Sequence, residues 1–212
     1  MGKREENRIA RFESIHAHSF QIIQSEGVEG LTIQRLSKKM NWALGALYRY
    51  YPSKEHLLAA LEHEAAERVM AHLLKAQDNS NSPISNIRAL AAAYTRLPKE
   101  LPEEFGLVCL MLGDPRPHLP LEEAQAVMEK VMPFLDHVAN LFKSATERGE
   151  LEIKGPMDAT LVFWMTVHGN MLMSKLDRID NELFCGERLV PLAVEAMLAG
   201  WTPQSHHNLQ EV

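Results

Sequence analysis

Cysteine is scarce in this sequence, with only Cys109 and Cys185 among 212 residues. The two lie far apart in apolar surroundings, so a disulfide framework is not expected and a reducing cytoplasm is the expected location. Long apolar runs are also missing, and the charged residues near the amino terminus are not followed by an apolar segment. We therefore expect neither a signal peptide nor a membrane-spanning helix.

The sequence also lacks the patterns of common catalytic sites. It contains no nucleophile elbow, phosphate-binding loop or dinucleotide fingerprint. The segment His63-Glu64-Ala65-Ala66-Glu67 is similar to part of a zinc-protease helix, but the second histidine is missing and too few ligands remain. His206 and His207 lie in a polar tail, where they could bind a metal adventitiously. We expect a protein that is not an enzyme and that has no cofactor or metal centre.

The net charge of −6 is unevenly distributed along the chain. Residues 1–56 contain nine Lys and Arg residues and six Asp and Glu residues, a net charge of +3, which leaves −9 for the remainder. A basic amino-terminal region on an acidic body favours contact with nucleic acid through that region alone. A difference of this size is also common by chance, so charge alone is a weak indication.

Strand signals are equally scarce, since no alternating run rich in Val, Ile and Thr is present, and the chain is predicted to be all-α. Nine helices are predicted, over residues 3–26, 33–39, 43–50, 54–77, 84–96, 103–112, 121–148, 156–178 and 186–200. Gly27 is expected to end the first helix and Thr32 to cap the second. Pro98 and Pro102 are expected to separate the fifth helix from the sixth, and Pro133 to kink the seventh.

The stretch from Leu31 to His56 contains two very short predicted helices and the start of a third. Helices of seven or eight residues are unstable alone, so these must pack on their neighbours. Apolar and aromatic residues can form the inward side: Leu31, Leu36, Met40, Trp42, Leu47 and Tyr51. The remaining positions then share an outward side: Gln34, Arg35, Lys38, Leu44, Gly45, Tyr48, Arg49 and Lys54. This arrangement predicts a helix-turn-helix, whose second helix lies in the major groove of DNA.

Three outward positions favour DNA binding over a purely structural role. Lys54 lies in the first turn of its helix, where the helix dipole disfavours a cation. A phosphate bound there would be held both by the ammonium group and by free N–H groups of the helix. Gly45 costs a short helix about 1 kcal/mol relative to alanine, and close approach to a groove would explain it. Tyr48 offers a hydroxyl to a phosphate oxygen. The alternatives are a surface aromatic for Tyr48 and ordinary solvated charges for Arg35 and Lys38.

Two segments of this stretch resemble the TetR/AcrR family of transcriptional regulators: Leu31-Thr32-Ile33 and Leu47-Tyr48-Arg49-Tyr50-Tyr51-Pro52-Ser53-Lys54-Glu55-His56-Leu57-Leu58. Phe20 and Gly27-Val28-Glu29-Gly30 are similar to the end of that family's first helix. The resemblance covers residues 10–60, and the chain length and helix count agree with the family's architecture. It implies a homodimer with an amino-terminal helix-turn-helix domain and a carboxyl-terminal helical domain that binds a ligand.

The resemblance also implies roles for individual residues. The positions that match phosphate contacts are Thr32, Tyr48 and Lys54. The positions that match contacts to base edges are Leu44, Gly45 and Arg49. Arg49 is the candidate for direct readout, because a guanidinium can pair with guanine through two hydrogen bonds. The predicted DNA-binding set is completed by Gln34, Arg35 and Lys38.

Three positions depart from the family pattern. The residue that caps the recognition helix is usually serine but is Ala43 here, and the Ser or Thr usual three positions later is Ala46. Trp42 replaces a smaller apolar residue. Two hydroxyls that could contact phosphate are therefore absent. Affinity would then depend more on Lys54, Tyr48 and Lys38, or the operator would be unusual.

Members of the family usually repress transcription by occupying a palindromic operator, and they release it when a small molecule binds. On this basis residues 1–52 are predicted to be the DNA-binding domain, 53–77 a connecting helix, 78–202 a ligand-binding and dimerisation domain, and 203–212 a polar tail. The predicted partners are double-stranded DNA with an inverted repeat, a second copy of the chain and an unidentified, mainly apolar effector.

In the carboxyl-terminal region, the resemblance implies dimerisation through the last two long helices. The residues predicted for that interface are Leu161, Val167, Met171, Leu189, Ala193 and Met197. A ligand site is predicted between the helices at 84–112 and those at 121–178, because several of the eleven methionines could line an adaptable apolar cavity. The residues predicted to line it are Phe105, Met111, Met128, Phe134, Trp164 and His168. For both sets, a place in the core of a single chain is the alternative.

Two further alternatives concern His168 and the protein as a whole. The segment Trp164-Met165-Thr166-Val167-His168-Gly169 resembles a Trp-x-x-x-His-Gly motif of one subset of TetR-type carboxyl-terminal domains. His168 could lie at the edge of a pocket or be a buried, hydrogen-bonded histidine. For the whole protein, the alternative is a helical protein-interaction adaptor that binds no specific DNA, which footprinting would distinguish.

Overall fold

A computed structural model describes residues 2–113 and 116–203. Over these residues the chain forms nine α-helices, one short 3₁₀ helix and no strand, which confirms the predicted all-α class. The helices are α1 (Lys3–Gly30), α2 (Ile33–Met40), α3 (Leu44–Tyr48), α4 (Lys54–Leu74), α5 (Pro83–Glu100), α6 (Pro102–Gly113), α7 (Leu121–Glu147), α8 (Pro156–Met173) and α9 (Gly186–Trp201). The 3₁₀ helix covers Ser174–Leu176. The predicted tail beyond Pro203, with His206 and His207, lies outside the described residues.

Pro98 accounts for one error in the predicted helix boundaries. Pro98 was expected to separate two helices, but it lies inside α5, which continues to Glu100. A proline this close to the end of a helix removes a single hydrogen bond, and the N–H of Leu101 still donates to the carbonyl of Leu97 at 2.8 Å. α7 continues on both sides of Pro133, as the predicted helix over residues 121–148 does. In the described part of the chain, no helix is both long and apolar enough to cross a membrane.

Gly27 interrupts α1 where the sequence predicts the first helix to end. Its backbone has φ 73° and ψ 178°, a conformation that is not helical and that favours glycine. One further helical turn follows, so α1 extends to Gly30 instead of ending at Glu26. The buried side chain of Val28 fixes this turn against the core.

The chain divides into two compact units, the first made of Met1–Met70 and Leu97–Val131. Its core is formed by apolar side chains from α1, α2, α3, α4 and α6. The predicted inward positions belong to this core: Leu31, Leu36, Leu47 and Tyr51 are buried, and Met40 and Trp42 pack against it partly buried. The short helices α2 and α3 are therefore held by packing, as their length requires.

The second unit consists of Ala71–Arg96 and Met132–Val212. Here α8 packs against α9, and the fully buried Phe142 of α7 makes edge-on ring contacts with Phe163 at 6.0 Å and Trp201 at 5.6 Å. Arg88 of α5 pairs with Glu195 of α9 through two hydrogen bonds of 2.6 and 2.8 Å. This unit contains the two helices for which dimerisation is predicted.

Candidate nucleic-acid interface

The turn between α2 and α3 is closed by backbone and side-chain hydrogen bonds. Thr32 caps α2 as predicted, since its Oγ1 accepts a hydrogen bond of 3.0 Å from the N–H of Arg35. Asn41 follows α2 in the left-handed conformation, with φ 53°, and its N–H donates to the carbonyls of Ser37 and Lys38. The N–H of Trp42 also donates to Ser37, at 2.9 Å. Together these bonds form the helix-turn-helix that the sequence predicts.

The helix α3 depends on packing because it has no side-chain cap. It is five residues long and begins after Ala43, which has the extended backbone of an N-cap but no hydroxyl to accept a hydrogen bond. Leu47, which is fully buried, anchors it to the core. The outer side of α3 is thereby fixed in position although the helix itself is very short.

The predicted outward side is exposed in the structure. Eight of the nine predicted DNA-binding residues are exposed, and Lys54 is partly exposed in the first turn of α4: Thr32, Gln34, Arg35, Lys38, Leu44, Gly45, Tyr48, Arg49 and Lys54. Tyr48 is 46% exposed although it is aromatic. These positions lie on α2, on α3 and where the chain enters α4, so one continuous stretch of the chain presents them all.

An aromatic cluster packs α1 against the residues that flank α3. The ring of Phe12 lies edge-on to Tyr50 at 5.2 Å and to Tyr51 at 6.0 Å, and Trp42 lies 6.0 Å from Tyr50. Tyr51 is buried as predicted, its hydroxyl lies 2.6 Å from Nε2 of His16, and burial raises its pKa to about 12. The phenol therefore stays neutral and fixes the segment after α3 to α1.

A chain of charged side chains continues from His16, and sequence reasoning did not predict it. Nδ1 of His16 contacts the Glu64 carboxylate, which also pairs with Arg68. Arg68 in turn donates a 2.9 Å hydrogen bond to the buried Glu104 of α6, and this bond raises the pKa of Arg68. The first and the last of these pairs join residues 48 and 36 positions apart, so no local pattern could indicate them.

Acidic residues contact two of the predicted DNA-binding cations. Arg35 donates a hydrogen bond to the carboxylate of Glu26, and Nζ of Lys54 lies 3.8 Å from Oε2 of Glu29. A groove of about 700 Å³ lies beside these pairs. It is lined by Ile22, Glu26, Glu29, Gly30, Thr32, Gln34, Arg35, Lys38 and Lys39.

The residues predicted to line a ligand site are distributed over both compact units. In the first unit Phe105 is buried, Met111 packs partly buried against the core, and Met128 is exposed. In the second unit Phe134 and Trp164 are partly buried and His168 is buried. The assignment of these residues to a ligand site stays a prediction.

His168 has one satisfied nitrogen and one buried nitrogen without a partner. Its Nδ1 lies 2.7 Å from the hydroxyl of Tyr94, a neighbour that sequence reasoning missed, and the Trp164 ring is 6.1 Å away. Nε2 is buried and has no hydrogen-bond partner among the described residues. Burial lowers the pKa of His168, so the ring is neutral.

The residues predicted for the dimer interface differ in burial within one chain. Val167 and Met171 are buried, whereas the other four are partly buried: Leu161, Leu189, Ala193 and Met197. Exposed apolar residues also lie on the same helices, with Val162 and Met165 on α8 and Leu192 on α9. The predicted interface stays a prediction, and these three side chains are further candidates for it.

Comparison with known proteins agrees with this arrangement. The family model described as "Bacterial regulatory proteins, tetR family" matches residues 15–61. Nucleoid occlusion factor SlmA of Actinobacillus pleuropneumoniae serotype 5b is 23% identical over 126 residues, which are 59% of this chain and 59% of that protein. The chain therefore matches less than two thirds of the length of this curated relative.

Two solved structures share the fold over most of their length. FadR, a transcriptional regulator of Bacillus subtilis in complex with stearoyl-CoA, has a TM-score of 0.73 at 15% identity, covering 89% of this chain and 98% of FadR. SmeT, the repressor of the Stenotrophomonas maltophilia multidrug efflux pump SmeDEF, has a TM-score of 0.69 at 21% identity, covering 92% and 91%. Residues 15–61 are thus a helix-turn-helix domain that matches the tetR family model, within an all-helical fold that the chain shares with these two regulators.

Proposed function

We propose that this chain is a repressor that binds an inverted-repeat operator as a homodimer and releases it when a small, mainly apolar molecule binds. The observation that carries the proposal is the exposed side of α2, α3 and the start of α4, supported by the buried Leu36, Leu47 and Tyr51. A rigid, exposed second helix is what entry into the major groove requires.

Direct base contact is assigned to α3. A Cβ added at Gly45 would meet no other atom within 4 Å, so packing inside the chain does not require glycine there. Close approach of the helix backbone to DNA does explain a residue that weakens a short helix. Arg49 is exposed at the end of the same helix, and its guanidinium can read guanine in the major groove.

Phosphate contacts are assigned to Thr32, Tyr48 and Lys54. Oγ1 of Thr32 accepts the capping hydrogen bond, so its hydroxyl proton remains available for a phosphate oxygen. The Tyr48 hydroxyl extends from the exposed side of α3, and Lys54 lies in the first turn of α4, where the helix dipole favours a phosphate. Such contacts fix the register of the protein on the duplex without reading its sequence.

The response to a ligand and the repressor role are supported by relatives of the same fold. SmeT is a repressor, and FadR was solved in complex with stearoyl-CoA, which has a long apolar chain. In this chain the partly buried Trp164 supplies an apolar surface, and Nε2 of His168, which has no partner among the described residues, supplies one polar group; this composition is typical of a small-molecule site.

The docking scheme predicts different defects for Lys54→Ala and Arg49→Ala. Duplexes selected from a random pool by the wild-type protein should contain an inverted repeat that footprinting shows to be protected. Lys54→Ala should weaken binding to every sequence and make the salt dependence shallower by about one unit per protomer. Arg49→Ala should instead relax base preference at one symmetric pair of positions, at a cost of about 1–3 kcal/mol for the preferred base.

Lys130→Ala provides the matched control, since it removes an exposed lysine from α7, far along the chain from the helix-turn-helix. It should leave affinity and salt dependence unchanged. Unaltered binding by both test variants would show that the docking scheme is wrong. Failure of the wild-type protein to enrich any sequence would instead favour the helical adaptor.

A further inference from the structure

The cations on the proposed DNA-binding side fall into two groups. Arg35 and Lys54 each have an acidic partner from the end of α1, namely Glu26 and Glu29. Lys38, on α2 between them in the sequence, has no hydrogen bond or ion pair through its side chain in the described part of the chain. The pairing is thus selective, and one of the paired cations is the lysine assigned to the phosphate backbone.

The end of α1 is shaped so that both carboxylates reach these cations. The break at Gly27 redirects the chain, and the final turn places Glu29 beside the start of α4. A Cβ added at Gly30 would lie 2.5 Å from Cβ of Glu26 and 3.1 Å from its Oε2, so the Glu26 side chain lies directly against this glycine. Glu26 and Glu29 both line the groove that also contains Thr32, another assigned phosphate contact.

We propose that Glu26 and Glu29 compete with the DNA backbone for Arg35 and Lys54. The inference rests on the proposed function, because it concerns the same DNA-binding side. A carboxylate and a phosphate offer a guanidinium or an ammonium the same ligand chemistry, oxygen atoms that carry negative charge. DNA must therefore displace a bound carboxylate before either cation can contact a phosphate, and the two acidic residues lower the affinity of the free protein.

The expected size of the effect follows from the exposure of these pairs. An ion pair between exposed or partly exposed side chains, as these are, changes an equilibrium by roughly twofold to fivefold. A dimer on an inverted repeat breaks each pair twice, so removing one carboxylate should tighten binding by roughly four- to twenty-five-fold. Because phosphates are the same in every sequence, the gain should be equal on selected and on scrambled duplexes.

A double-mutant cycle separates competition from simple charge repulsion. Affinities are measured by fluorescence anisotropy on a duplex selected by the wild-type protein and on a scrambled duplex of equal length. Glu29→Gln should bind both more tightly, and the gain should vanish in a Lys54→Gln background. In a Lys38→Gln background, where the removed lysine has no acidic partner, the gain should persist. Glu26→Gln should behave in the same way with Arg35→Gln.

Repulsion between Glu29 and phosphate would predict the same gain in all three backgrounds, and that outcome would overturn the proposal. Glu67→Gln, which removes an exposed carboxylate elsewhere on α4, should leave affinity unchanged. Circular dichroism checks that each variant is folded. An absence of tightening in both Glu26→Gln and Glu29→Gln would also contradict the proposal.

A heparin column keeps this test independent of the operator. Glu29→Gln should elute at a higher salt concentration than the wild-type protein, and Glu29→Gln combined with Lys54→Gln should elute with Lys54→Gln alone. If the wild-type protein selects no DNA sequence but the heparin cycle behaves as described, the proposed function fails while the competition stands. If selection succeeds and the cycle shows no coupling, only the competition fails.

Discussion

At the scale of single residues, the carboxyl group of Glu62 on α4 is withdrawn from water with too few hydrogen bonds to replace its hydration. Its Oε1 is buried and has no hydrogen-bond partner among the described residues. Burial raises the pKa of Glu62 from 4.5 to about 7. Withdrawing a carboxylate from water without a partner opposes ionisation, so the folded state favours the protonated form.

This pKa predicts a loss of stability as the pH rises. Below about pH 4.5 the carboxyl is protonated in both the folded and the unfolded state. Above about pH 7 it is ionised in both states, and its ionisation in the folded protein costs free energy. Glu62→Gln should therefore raise the free energy of unfolding at pH 8 by about 1–2 kcal/mol, after allowance for partial solvation, and by much less at pH 5. Urea unfolding at both pH values measures this, with Glu67→Gln as the exposed control. A gain of equal size at both pH values would show that ionisation is not the cause.

Residues in local patterns were predictable from the sequence, and long-range charged pairs were not. The spacing of Leu36, Leu47 and Tyr51 indicated an inward side because helical periodicity depends only on neighbours in the chain. The contact of His16 with Glu64 depends on how α1 packs on α4, which no periodicity encodes. The contacts of Glu26 and Glu29 with the DNA-binding cations were missed for the same reason.

At the scale of elements, α3 is the helix least able to form by itself. It has five residues, contains Gly45, and follows Ala43, which makes no side-chain capping bond. Ala43 nevertheless has φ −63° and ψ 134°, the extended backbone that a capping serine also adopts. A capping side chain at position 43 would therefore fit the existing backbone, but alanine has no atom that can accept the hydrogen bond.

Ala43→Ser should stabilise the protein by about 0.5–1 kcal/mol, because its hydroxyl can accept a hydrogen bond from a free N–H of α3. It should also tighten DNA binding severalfold, because a better-formed α3 loses less conformational entropy when it binds DNA. Urea unfolding and anisotropy on a selected duplex measure the two effects. Ala46→Ser is the control for stability, because a hydroxyl inside the helix cannot cap it. Equal stability of Ala43→Ser and the wild-type protein would contradict the assignment of this N-cap.

Helix ends were predictable where one residue has a distinct local requirement. Gly27 adopts a positive φ, and Thr32 supplies the capping oxygen, so both carried a readable signal. Asn41 carries one as well, since asparagine tolerates the left-handed conformation. Pro98 led to a wrong helix end because the free-energy cost of a proline depends on its position in the helix. α5 ends soon after Pro98, where that cost is small.

At the scale of the whole molecule, the second unit leaves large apolar side chains exposed on the helices predicted to form the dimer. Met165 is 60% exposed and Leu192 is 58% exposed, and Val162 lies one helical turn before Met165. Ala196 and Ala199 are exposed at the same helical face as Leu192, and small residues there allow close approach of another helix. An operator with an inverted repeat requires a two-fold symmetric protein, so this surface is the proposed contact between copies.

Leu192→Glu should convert the proposed dimer into a folded monomer. A charge at the centre of an apolar contact must be desolvated twice, once in each copy, whereas in the monomer it remains in water. Light scattering coupled to size-exclusion chromatography should show the monomer mass, and circular dichroism should show unchanged helix content. Affinity for a selected inverted repeat should fall by at least tenfold, because the two half-sites are no longer bound by one linked molecule. Leu121→Glu, at a residue 75% exposed in the first unit, should remain dimeric. A Leu192→Glu protein that stays dimeric would place the contact between copies outside the exposed face of α9.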